Sequence, residues 1–132
     1  MKRRFKVLII LAVLLTLVVG SGMIAVQVIE GNLEHLVGLP VQSIKVTTIE
    51  DGAYRGAYAS FPVAAEVEVV LKDQRITDIR IIKHEHGQGS AAEGIIEEVI
   101  RKQSLQVDSV TGATYSSKVI LKAIEDALTG TE

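Results

Sequence analysis

At 132 residues the chain has room for one domain and an appendage, and with 48% hydrophobic but only 4% aromatic residues and no Trp its core must be built from Ile, Val, Leu and Ala. The absence of Cys excludes disulfides, thiolate metal sites, iron–sulfur clusters, thiol catalysis and a lipid-modified N-terminal cysteine. Charged residues, at 23%, are too frequent for a multi-span membrane protein; Lys2, Arg3, Arg4 and Lys6 form a basic head with no acid before Glu30, so the rest is acidic and poorly suited to nucleic acid.

Behind that head, residues 7–26 read VLIILAVLLTLVVGSGMIAV, uncharged, with only Thr16 and Ser21 as polar interruptions. About 20 such residues cross a bilayer core, and the positive-inside rule puts the head in the cytoplasm and the rest outside. A cleaved signal peptide is the rival reading, since Gly20, Ser21 and Gly22 are small. The apolar run continues past them through Met23-Ile24-Ala25-Val26, which favours an uncleaved anchor over residues 1–28. In the next stretch Leu33, Leu36 and Val37 make a helical stripe that Gly38-Leu39-Pro40 ends. Residues 29–43 therefore read as a stalk carrying a domain of residues 44–132.

The pattern then turns to period two. Ile44, Val46 and Thr48 alternate with Lys45, Thr47 and Ile49, predicting a strand that ends at the turn Glu50-Asp51-Gly52. Val63, Ala65, Val67, Val69 and Leu71 alternate with Ala64, Glu66, Glu68 and Val70, a strand with one buried face. The short connection Lys72-Asp73-Gln74-Arg75 leads to a second strand, Ile76 to Lys83, which should pair antiparallel with the first. His84, Glu85 and His86 follow; two histidines at i, i+2 offer two plausible ligands, His35 lies in the stalk, and no metal site is expected. Gly87 and Gly89 either let the backbone approach a ligand closely or simply form a loop. Ser90-Ala91-Ala92-Glu93 has the form of a capping box, opening a helix whose stripe is Ala92, Ile95, Ile96, Val99 and Ile100 and whose acids Glu93, Glu97 and Glu98 face solvent. After a short extended piece, Leu105-Gln106-Val107, the last helix buries Val119, Ile120, Ala123, Ile124, Ala127 and Leu128 and stops near Gly130.

Between these helices lies the hydroxyl-rich run Asp108 to Ser117. The first turn of a helix has unbonded amides and a partial positive charge, so small residues and hydroxyls there make a seat for phosphate. The same residue types are also ordinary N-caps and turn formers. Their order, Asp108-x-x-Thr111-Gly112-Ala113-Thr114-x-Ser116-Ser117, resembles the flavinylation signature of the FMN-binding domain family, which includes the covalent-flavin subunits of bacterial sodium-pumping and Rnf-type complexes. Asp51-Gly52-Ala53-Tyr54-Arg55-Gly56 is similar to that family's Asp-Gly-x-Tyr-x-Gly start. His84 and Glu85 are compatible with its His and acid after the strand, while the usual Glu-Thr-Pro-Gly continuation is missing. The resemblance runs from about Ile49 to Leu128. It implies an α+β domain, a small antiparallel sheet packed by two helices, preceded here by one N-terminal transmembrane helix.

The resemblance further implies FMN bound to Thr114 through a phosphoester. Thr111, Gly112 and Ala113, with Asp108, serve recognition, while Ser116, Ser117 and helix amides hold the phosphate and His84 lies near the cofactor. A Thr hydroxyl is a poor nucleophile unless activated. No His adjoins Thr114 and Asp108 is six residues away, so self-catalysed attachment is not expected; the resemblance implies a separate Mg-dependent flavin transferase that takes FAD and passes on its FMN half. The chemistry then belongs to the flavin. A covalent link suits a domain outside the membrane, and so small a domain reads as an electron relay between membrane or extracellular redox partners. Two other classes stay open: a reductase acting on a small acceptor at the same flavin, and a membrane-anchored binding or adaptor domain without flavin.

Overall fold

The computed structural model describes residues 2–85 and 89–130. The chain forms two compact units, Met1–Asn32 and Leu33–Glu132. The first is built from α1 (Lys2–Gly38), a helix long and apolar enough to cross a membrane. Its side chains from Phe5 to Val28, including Leu8, Leu15, Leu17 and Ile24, have no protein to bury them. The uncharged 20 residues alone reach roughly 30 Å at 1.5 Å per residue, the thickness of a hydrocarbon core.

The boundary between the units falls inside the expected stalk. Leu33 to Gly38 belong to the second unit, where Leu36 is completely buried. Residues 33–43 of the predicted stalk thus belong to the second unit, where Leu36 enters the core and Leu33 packs against it.

The second unit is a three-stranded antiparallel meander, β1 (Gly52–Ser60), β2 (Val63–Lys72) and β3 (Arg75–Glu85), in the order β1-β2-β3. The alternation along β2 is realised as read: Val63, Ala65, Val67, Val69 and Leu71 are buried on one face. Lys72 pairs with Arg75 across a two-residue turn in which Asp73 and Gln74 have φ of 52° and 59°, the left-handed pair that matches hairpin twist. Neither is glycine, and the Asp51 carboxylate holds the turn by accepting both amides, at 2.9 Å from Asp73 and 3.3 Å from Gln74. On the outer face, Glu68 of β2 bridges Arg55 of β1 (3.1 Å) and Arg80 of β3 (3.0 Å).

The inner face is covered by α3 (Thr114–Thr129), lying on β1 and β2, and by α2 (Ile95–Lys102), lying against β3. All six residues of the predicted α3 stripe are buried. The approach to β1 is close: a Cβ on Gly56 would stand 2.2 Å from the Ala127 nitrogen and 2.3 Å from the Ala123 oxygen. The Asp126 carboxylate accepts the Ala57 amide of edge strand β1 (2.9 Å). At the opposite edge Gln103, at φ 52°, uses its amide as a strand would, accepting from Ile76 N (2.8 Å) and donating to Ile76 O (2.8 Å) and Ile100 O (2.6 Å). The architecture is α+β, a small antiparallel sheet packed by two helices and preceded by one long apolar helix.

Two local expectations are corrected. The strand predicted over Ile44 to Ile49 is instead coil with a 3-10 turn at Val46–Thr48. The Thr48 hydroxyl bonds back to the Lys45 carbonyl (2.9 Å), a local alternative to a sheet ladder. The capping box at Ser90–Glu93 is not formed either: these residues lie in a 3-10 turn, Ser90–Gly94, without a side-chain cap. The Glu93 carboxylate is 3.1 Å from His84 Nδ1 instead.

Candidate functional site

The chain enters α3 through a turn closed by Ala113 N donating to Val110 O (2.9 Å), with Gly112 at φ +78°. That left-handed value favours glycine. Ser117, completely buried, accepts the Val110 amide on its hydroxyl (3.0 Å) and ties the turn to the helix it precedes. The first helical bond runs from Ser117 N to Ala113 O (2.9 Å), so the amides of Thr114, Tyr115 and Ser116 have no acceptor within the helix. The N-cap position is held by Ala113, which has no side-chain oxygen, and no side chain caps the helix. A run rich in Ser and Thr therefore leaves its own helix start open. Ordinary capping does not account for it.

That open start forms one wall of a cleft of about 450 Å³, a volume within the range of small-molecule sites. Gly112, Ala113, Thr114, Tyr115 and Ser116 line it from the α3 side, facing Val37 at the end of α1, Val63 at the start of β2 and Gly89 ahead of α2. Thr114 is exposed and is the first residue of α3. None of these lining residues is charged. The cleft thus offers amide dipoles and hydroxyls for an anion, apolar surface, and no carboxylate or imidazole among its described residues to take a proton from Thr114.

The predicted site residues separate into groups. Gly112, Ala113, Thr114 and Ser116 come together in the cleft. Thr111 is exposed on the turn but does not line it. Asp108 is exposed at a separate depression shared with Gln106 and Lys118. Ser117 points into the core and shapes the seat from behind. His84 has a nearly buried ring (2% exposed) facing Glu93 and is not a lining residue. His86 and Gly87 lie outside the described residues.

Sequence reasoning did not assign Val37, Val63 or Tyr115 to the site. Val63 had been read as core, which it also is. Val37 belongs to the stripe read as stalk, and Tyr115 occupies an unspecified position of the signature. Only the placement of four elements around one cleft joins them.

Residues 61–129 match the family described as FMN-binding domain. The chain is also similar to urocanate reductase of Eggerthella lenta, 37% identical over 65 residues. That stretch is 47% of this chain and 11% of the relative, so the shared part is a small portion of a much larger protein. The whole of Asp108 to Ser117 lies inside the matched region, whereas Asp51 to Gly56 lies before it.

Proposed function

The chain belongs to the FMN-binding domain family, and from that membership we propose a membrane-anchored flavoprotein that bears FMN as a phosphoester on Thr114 and relays electrons between redox partners on the outer side of the membrane. The observation that carries this reading is the uncapped start of α3: an exposed Thr114 beside three amides without helical acceptors, in a cleft with no charged side chain among its described lining residues.

The residues fit the group. The amides of Thr114, Tyr115 and Ser116, with the Ser116 hydroxyl, suit a phosphate diester, and the positive end of the α3 dipole adds to them. Gly112 and Ala113 leave the approach to Thr114 unobstructed; nothing stands within 4 Å of a Cβ built on Gly112. In the attachment step the Thr114 oxygen bonds to the FMN phosphorus of FAD, the pyrophosphate bond breaks and AMP leaves. A base supplied by a separate flavin transferase accepts the hydroxyl proton, since the cleft shows none. Once bound, the flavin supplies reversible one- and two-electron transfer. The protein's part is to tether, orient and partly desolvate it. The basic head and uncharged run support a cytoplasmic N-terminus and an outer domain; an outer flavin held covalently is not lost by dissociation.

The similarity to a reductase supports a second reading, delivery of electrons to a small acceptor. The relay is the reading we favour, because none of the described lining residues carries a charge to bind or protonate such an acceptor.

The test is co-expression with a flavin transferase, followed by in-gel fluorescence under denaturing conditions and peptide mass mapping. Thr114→Ala removes the only oxygen that can form the bond, so covalent flavin disappears. The fold persists, because an exposed substitution of this kind costs about 0.5 kcal/mol. Thr114→Ser keeps the hydroxyl and retains attachment. Wild-type protein without covalent flavin defeats the assignment, and flavin surviving Thr114→Ala places it on another residue.

A further inference from the structure

The family match begins at residue 61, yet the cleft has a wall that comes from before it. Val37 sits in the last turn of α1, which ends as Leu39 N bonds to Leu36 O (3.2 Å). Leu36 is fully buried in the domain core, whereas its neighbour Val37 keeps 46% of its surface exposed and lines the cleft. The rest of the described lining is mainly Gly, Ala, Ser and Thr, with Val63 and Tyr115 as the other large side chains. Of these, Val63 is already 7% exposed and committed to the core. Val37 is therefore apolar surface that the fold holds in place without consuming it.

We propose that the last turn of α1, docked by Leu36, is a working part of the flavin site, with Val37 as the apolar wall that shields the isoalloxazine of the FMN carried by Thr114. This rests on the function proposed above. The argument is one of tether and solvent. A flavin attached at Thr114 is confined to the space that Thr114 lines, and an aromatic ring there gains by leaving water for apolar surface. Among the described lining residues the family-matched segment supplies only Val63 and Tyr115 as large side chains. A segment outside it, continuous with the apolar helix, completes the site. Val37 is in this sense a positioning and shielding residue, and it acts on the flavin's environment without touching the tether.

The full-length chain in detergent, flavinylated by a co-expressed transferase, provides the test. Peptide mass first establishes FMN on Thr114 in the wild type, in Val37→Ser and in Val37→Trp. Neutral acrylamide then quenches flavin fluorescence, and the midpoint potential is measured by dye equilibration. Val37→Ser opens the wall, so the quenching constant rises roughly twofold or more and the potential moves, as expected when a site that should bury most of its ligand is breached. Val37→Trp places an electron-rich ring on the wall and lowers flavin fluorescence at equal flavin content. Because Val37 is half exposed, neither change removes a core side chain. Flavin present on Thr114 with quenching, potential and fluorescence unchanged in both variants overturns the wall alone. Wild-type protein without flavin on Thr114 overturns the function and the wall together.

Discussion

Gly56 is the point where β1 and α3 touch backbone to backbone. A methyl group there would meet Ala127 N at 2.2 Å and Ala123 O at 2.3 Å, and main-chain atoms of a packed helix cannot turn aside. Overpacking of this kind costs about 1–3 kcal/mol, with more expected where backbone must move. Gly56→Ala is therefore predicted to lower the unfolding free energy obtained from urea titration by at least that amount and to displace α3, the helix that presents Thr114. A stability within about 0.5 kcal/mol of wild type would show that the contact is looser than described. The glycine was visible in the sequence as part of a family-like start, but its reason was not, because the atoms it makes room for are about 70 residues away. Ser117 teaches the same lesson. Its hydroxyl was expected at the phosphate, and it accepts the Val110 amide from inside the core; residue type was legible while direction was not.

At the scale of elements, periodicity carried most of the fold. The α3 stripe and the β2 alternation are local signals and appear in the structure on the expected residues; of the α2 stripe Ile95 and Val99 are buried, Ile96 and Ile100 are partly buried, and Ala92 lies in the preceding 3-10 turn. The errors came where a local pattern lacked a partner. The Ile44–Ile49 alternation has no strand to pair with and forms a 3-10 turn, while Glu93 is engaged with His84. The eight-residue α2 is held at its C-terminal end. Near its C-terminus Arg101 hydrogen-bonds Glu98 and holds that carboxyl below its ordinary range. The sign is that of a lowered acid: the contribution is present above the unfolded pKa and fades as pH falls through the folded one, and the partial solvent exposure of both side chains keeps it small. The firmer anchor is Gln103, whose side chain is bonded to Ile76 and Ile100. Gln103→Ala leaves the partly buried Ile76 amide without its acceptor and is predicted to cost about 1–3 kcal/mol. Amide hydrogen exchange checks it: protection should fall at Ile76 and along α2 before it falls in β2, and uniform loss would count against the clip.

For the whole molecule, the governing question is which side of a membrane the cleft occupies. The basic head before α1 and the acidic remainder predict a cytoplasmic N-terminus with Thr114 outside. Protease added to intact cells or spheroplasts should remove the domain and leave a protected N-terminal fragment. A soluble mature chain beginning near Gly22 would show that the apolar segment is a leader. The candidate site was half legible in the sequence. Its proposed tether lies in one contiguous run, whereas its walls at Val37, Val63 and Gly89 come from distant parts of the chain that only tertiary packing brings together.

The membrane anchoring proposed above would bring copies of the chain together at high local concentration, and a three-stranded sheet has two edges that invite them to pair. Here each edge is interrupted by a helix-borne or helix-terminal side chain: Asp126 occupies the Ala57 amide on β1, and Gln103 occupies both polar groups of Ile76 on β3. An approaching strand must displace a carboxylate from one edge or an amide from the other before its ladder can run on. The two contacts that fasten the helices to the sheet thereby also keep neighbouring molecules apart, so crowding on the lipid surface need not become fusion of their sheets.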